Sequence, residues 1–263
     1  MKDTSALTML LAPGGISPVY QPVYDLRNGR EAHSYECLSR GPRGSNFESA
    51  KVLFEYVRLK REESLIDRAC IAAALRSVNL LGPSACVSVN VHASTLGRDH
   101  GFVSFLRRTT AEASLPMDQV TVEVVEHAPP WDGVSFLAAL DEIRASGARI
   151  ALDDVGLGQS NFKMILDVGA DYLKLDRYFV DGCHRDVRRQ AVIQALQQLA
   201  SRFGAKIIAE GIETVDDLNF IERLGINLVQ GFLFAPPFTP DEIVRGALHD
   251  FPSSAKLRIR PSA

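Results

Sequence analysis

Eight short β-patterned runs punctuate this chain, and from the third onward a helical pattern separates each run from the next. The runs cover residues 19–26, 31–38, 85–91, 119–125, 149–153, 172–175, 206–210 and 227–230, and the helical patterns 49–60, 64–81, 101–113, 132–146, 161–166, 186–203, 215–224 and 240–248. Strands joined by helices build a parallel sheet with right-handed crossovers. Arg27-Asn28-Gly29-Arg30 between the first two runs is a hairpin signal, so those two strands are expected to be antiparallel. Eight strands with no evident break predict closure rather than an open doubly wound sheet. The expected fold class is therefore α/β, a TIM-like (β/α)8 barrel. No Gly-x-Gly-x-x-Gly follows the first run, which argues against a dinucleotide fold.

Length and composition fit that reading. A chain of 263 residues matches the size of single α/β barrels, and 46% hydrophobic residues supply a large core. The net charge of -3 gives no global sign of a polyanion-binding surface, so no long nucleic acid partner is expected. Cys37, Cys70, Cys86 and Cys183 lie far apart with no CxxC, which suits a reducing cytoplasmic setting and no zinc site. The apolar run 6–12 is too short to insert in a membrane and ends at Pro13-Gly14-Gly15. The expected organisation is an N-terminal segment 1–15, a main domain 16–250 and a basic tail 251–263.

The chemistry is expected where the strands end, because the C-terminal face carries the active site in barrel enzymes. Glu36, Asn90, Glu123, Glu126, Asp153, Asp154, Lys174, Asp176, Glu210 and Gln230 fall at or just beyond the ends of seven consecutive runs. Any one acid here reads as a helix cap or the partner of a lysine. Their convergence reads differently, since carboxylates gathered at one rim repel unless cations compensate. Carboxylate and amide oxygens without paired His or Cys select hard ions, Mg²⁺ or Mn²⁺, and two such ions suit in-line phosphoryl displacement. Lys174, between Leu173 and Leu175, points inward to orient a water or neutralise a phosphate. The six histidines show no ligand spacing and receive no role.

Eight motifs in order carry a family resemblance: Tyr20-Gln21-Pro22, Glu36-Cys37-Leu38 with Arg40, Ser88-Val89-Asn90, Val122-Glu123-Val124-Val125-Glu126, Ala151-Leu152-Asp153-Asp154-Val155-Gly156, Leu173-Lys174-Leu175-Asp176-Arg177, Ala209-Glu210-Gly211-Ile212-Glu213 and Gln230-Gly231-Phe232-Leu233-Phe234. From about Tyr20 to Phe238 the chain resembles the EAL domain, the bacterial phosphodiesterase that linearises cyclic di-GMP. The resemblance implies a barrel whose first strand is antiparallel. It implies a first metal on Glu36, Asn90, Glu123 and Asp153, a second on Asp153 and Asp154, and Asp176 and Glu210 completing the metal and water shell. It makes Lys174, Glu210 and Glu36 the catalytic group, and Arg40, Leu38 and Gln230 the substrate contacts. Glu126 and Glu213 become structural supports. Cys37 replaces the usual Ala, and Val155, Leu157 and Gln159 stand where active members usually have Phe, Thr and Tyr.

The resulting expectation is a cytoplasmic, metal-dependent phosphodiesterase that converts cyclic di-GMP to linear pGpG. By resemblance it is a homodimer. With no attached sensor segment, control passes to expression, dimerisation, metal supply or a separate regulatory protein. The alternative is a catalytically silent receptor that binds cyclic di-GMP and acts through a protein partner.

Overall fold

The computed structural model describes residues 4–28, 32–125, 133–157 and 162–247. Its elements run α1 (Thr4–Leu11), β1 (Ser17–Asp25), β2 (Ala32–Arg40), α2 (Ala50–Lys60), α3 (Glu63–Leu75), β3 (Val87–His92), α4 (Ala93–Arg98), α5 (Phe102–Glu112), β4 (Val120–Val125), α6 (Gly133–Ala145), β5 (Arg149–Leu152), α7 (Phe162–Val168), β6 (Tyr172–Leu175), α8 (Arg177–Val180), α9 (Val187–Phe203), β7 (Lys206–Ala209), α10 (Val215–Arg223), β8 (Leu228–Val229) and α11 (Pro240–Val244). The strands neighbour one another in sequence order and close into a barrel, β1 to β8. β1 meets β8 antiparallel, with Tyr24 opposite Val229, as expected for the first strand. Of the hairpin turn, Gly29 and Arg30 lie outside the described residues.

The chain divides into two compact units, residues 1–20 with 36–150 and residues 21–35 with 151–263. In the first, β3 and β4 pair in parallel from Val87↔Val120 to His92↔Val125. Their residues are almost all buried, as helix-covered parallel strands must be. Leu10 of α1 joins Ile16, Leu53, Val57, Ile66, Cys70 and Ala73 in one apolar cluster, so the N-terminal helix is part of this core. In the second unit, β5, β6, β7 and β8 pair in parallel. Val23, Ala151, Tyr172, Ile208 and Leu228 form its central cluster.

The helical pattern over 64–81 resolves into α3 and a separate 3₁₀ turn, Val78–Leu81. α4 and α8 are short and carry too few turns to show a period. α8 is a single turn capped by Asp176, whose side chain accepts a hydrogen bond from the Tyr178 amide.

Candidate active site at the strand ends

The residues singled out at the strand ends fall into two groups, one in each unit. In the first unit, Glu36 on β2, Asn90 on β3 and Glu123 on β4 supply two carboxylates and an amide. Asn90 and Glu123 are register partners, and Asn90 Nδ2 donates to Glu36 Oε1 at 3.2 Å. Glu36 is 6% and Glu123 2% exposed. Burial pushes the Cys37 thiol well above its usual range, and the Glu123 and Glu36 charges push the same way. Cys37 is thus an inert packing residue in an anionic neighbourhood.

Arg40, at the end of β2, donates to the Ser39 carbonyl at 2.9 Å. Its burial lowers the guanidinium pKa while the Glu36 charge raises it. Leu38 is half-buried on the same strand.

Asn90 provides the test of whether this set suits a cation. Its Nδ2 is spent on Glu36, and its Oδ1 is buried and accepts no hydrogen bond. A buried acceptor left so costs about 1–3 kcal/mol. An amide oxygen beside two carboxylates is a hard-donor set of the kind Mg²⁺, Mn²⁺ or Ca²⁺ takes, so the residues fit a divalent ion. Among the described residues no three His, Cys, Asp or Glu side chains gather to hold an ion by themselves. The amide is what completes this donor set.

In the second unit Lys174 is the centre. It lies on β6, is 1% exposed, and its Nζ stands 3.3 Å from Asp153 Oδ1 and 2.8 Å from Glu210 Oε1. The backbone places these partners: Asp153 follows β5 and Glu210 follows β7, the two strands that flank β6. The ladder continues past the strands, since Glu210 N–H donates to Leu175 O and Gln230 N–H to Ala209 O. Gln230 is buried.

Asp154 adopts φ +52°, a left-handed conformation that Asp tolerates better than most side chains. Its carbonyl accepts from Leu157 N–H, and Val155 N–H donates to Lys174 O, which pins the loop to β6. Val155 is buried. Gln159 and Glu126 lie outside the described residues.

Two residues named from the sequence have local work. Asp176 spends one oxygen as the cap of α8, and Glu213 pairs with Arg177 at 2.9 Å. The Arg177 stem lies so close over Gly211 (φ +66°) that a Cβ there would come within 2.5 Å of it. Gly211 therefore lets Arg177 cross the loop that carries Glu210.

The sequence left two histidines without a role that the structure pairs with buried aspartates. His92, at the end of β3, meets Asp67 of α3 through its ring at 2.8 Å and its N–H at 3.0 Å. His184 meets Asp217 of α10 through its ring at 2.7 Å. These partners lie 25 and 33 residues apart in the chain, so no local spacing announces them.

The EAL domain model matches residues 4–237. The chain belongs to the EAL domain family. It is 31% identical over 229 residues to cyclic di-GMP phosphodiesterase NbdA of Pseudomonas aeruginosa, covering 83% of this chain and 28% of that protein. The structure of the PaMucR phosphodiesterase in complex with c-di-GMP matches with TM-score 0.80 and 26% identity, over 92% of this chain and all of that one (100%). The manganese and c-di-GMP complex of Klebsiella pneumoniae BlrP1 matches with TM-score 0.77 and 25% identity, over 87% of this chain and 57% of that one. The chain spans about a quarter to two fifths of the length of the curated relatives it matches.

Proposed function

We propose that this EAL domain is a metal-dependent phosphodiesterase that hydrolyses cyclic di-GMP to linear pGpG. The observation that carries the reading is the Glu36–Asn90–Glu123 set, two buried carboxylates and an amide whose buried oxygen accepts no hydrogen bond. Its relatives add support: NbdA is a cyclic di-GMP phosphodiesterase by name, PaMucR is a phosphodiesterase complexed with c-di-GMP, and BlrP1 was crystallised with manganese and cyclic di-GMP.

Glu36, Asn90 and Glu123 of the first group, and Asp153, Asp154, Asp176 and Glu210 of the second, are the residues that would hold two ions, Mg²⁺ or Mn²⁺. When bound, such ions supply charge stabilisation at the phosphate and a more acidic water. Lys174 orients that water and Glu210 takes its proton. The water oxygen forms a new bond to phosphorus as one phosphate ester bond breaks. The departing sugar oxygen takes up the proton that Glu210 accepted and leaves as a hydroxyl, and the product is the linear dinucleotide. Arg40, Leu38 and Gln230 contact the substrate, Arg40 through a phosphate. Glu126 and Glu213 support the loops.

We further propose a cytoplasmic homodimer answering to a separate regulatory protein. The exposed apolar pair Phe162 and Leu166, four residues apart on α7, supports self-association. Among the described residues no helix is long and apolar enough to cross a membrane.

The deciding experiment separates nucleotides after incubation of the purified protein with cyclic di-GMP in Mg²⁺, in Mn²⁺ and in chelator. The product pGpG is expected only with an ion. Glu36→Ala is expected to keep its circular dichroism spectrum and lose at least about 100-fold in turnover, since a carboxylate leaves the donor set without opening the core. Undiminished turnover in that variant would remove Glu36 from the site. Nucleotide binding without product in the parent protein would instead make it a receptor.

A further inference from the structure

Lys174 carries more than the role of orienting a water. Its side chain is almost wholly buried between two buried leucines, Leu173 and Leu175, and its ammonium sits between two carboxylates of neighbouring strand ends. The two ion-pair distances place Asp153 Oδ1 and Glu210 Oε1 within about 6 Å of one another. Carboxylates so close, each with only a small part of its side chain exposed, repel one another unless a cation lies with them. The register makes Lys174 that cation: Leu173 is level with Leu152, the residue before Asp153, and Lys174 with Ile208, two residues before Glu210.

We infer that Lys174 is the resident counter-ion of Asp153 and Glu210, a positioning residue that holds both carboxylates in place before any divalent ion arrives. The inference rests on the metal reading of the proposed function. It also makes the ammonium a competitor, because an arriving ion must share oxygens already engaged by a positive charge. Three roles for Lys174 then predict different outcomes. A packing role makes its loss equally harmful with and without ion. A role confined to orienting water leaves stability and ion affinity unchanged. The counter-ion role makes its loss harmful chiefly in the absence of ion, and makes ions bind more tightly.

The experiment compares thermal unfolding of the parent and Lys174→Met, full length, in chelator and in Mn²⁺, with direct titration of Mn²⁺ against each. In chelator the variant's Tm is expected to fall by about 6–20 °C, as for one partner removed from a buried ion pair in a domain of this size. Mn²⁺ is expected to restore most of that loss, so the ion-dependent rise is larger in the variant than in the parent. The apparent Mn²⁺ dissociation constant should drop at least about tenfold, the direction expected when a like charge is removed. The double variant Lys174→Met with Asp153→Asn loses an anion with the cation, and its Tm in chelator should recover toward the parent value. That arm decides the matter if the single variant does not fold. Equal ion-dependent rises in both proteins, or no loss in chelator, would overturn the inference. A parent showing neither turnover nor any rise with ion would sink the metal reading instead, and the chelator comparison of the single and double variants still tests the counter-ion role.

Discussion

Asp67 shows how much one buried carboxylate organises. Its Oδ2 accepts from the His92 N–H at 3.0 Å and the Thr95 hydroxyl at 2.5 Å, while Oδ1 meets the His92 ring at 2.8 Å. Burial acts to lower the His92 pKa, but the Asp67 charge and hydrogen bond outweigh it and raise the pKa above the usual value. These bonds fix the end of β3 two residues beyond Asn90. Asp67→Ala leaves an amide, a hydroxyl and an imidazole buried without their acceptor, and we expect a loss of about 3–5 kcal/mol in urea unfolding. Turnover should fall with it, because Asn90 shares that strand end. A loss under about 1 kcal/mol would show that water replaces the carboxylate. At this scale the placement of Glu36, Asn90 and Lys174 on β2, β3 and β6 was legible in the sequence because each falls inside a β-patterned run. Asp67 was not, since its partner comes from another element and α3 reads there as an ordinary amphipathic helix.

Among elements, the connection from β6 to α9 is tied to α10 by Asp217. Its two oxygens accept from the Gly182 and His184 amides, the His184 ring and the Thr214 hydroxyl. Burial acts to raise the Asp217 pKa, and these bonds overcome it and hold the carboxyl far below its ordinary range. A depressed pKa adds stability that is fully present above the unfolded value of about 3.9 and is lost as pH falls through the lower folded value. Stability of the parent should therefore decline steeply below about pH 4, and Asp217→Asn should be less stable at neutral pH with a flatter acid limb. Matching acid limbs in the two proteins would assign the acid sensitivity elsewhere. Six of the helices were legible within a residue or two from apolar spacing, α9 among them, where the structure adds Asp186 accepting from two amides and Gly204 ending the helix at φ +74°. The single-turn α8 was hidden by its length, and Asp176 was read toward a metal where its cap bond is also made. α1 looked only like an apolar run, because its reason for being helical is tertiary: Leu10 needs the α2–α3 cluster.

For the whole molecule, the eight-strand count and the alternation with helices already implied a barrel, and the closing pair β1–β8 was legible only as the antiparallel sense of the first strand. Which strand seals the ring is a property of the complete set, absent from any local window. The pairing of Tyr24 with Val229 joins residues about 200 positions apart. During synthesis at about 5–20 residues per second, β1 would wait about 10–40 s for the strand that completes its edge. Through that interval an unfinished edge is open to other chains, so nascent chains are expected to depend on chaperones and to aggregate when made fast. A chain ended at Gly225, before β8, should be cut by protease within residues 17–25 while the full chain resists; protection of that segment in the shortened chain would mean the ring closes some other way.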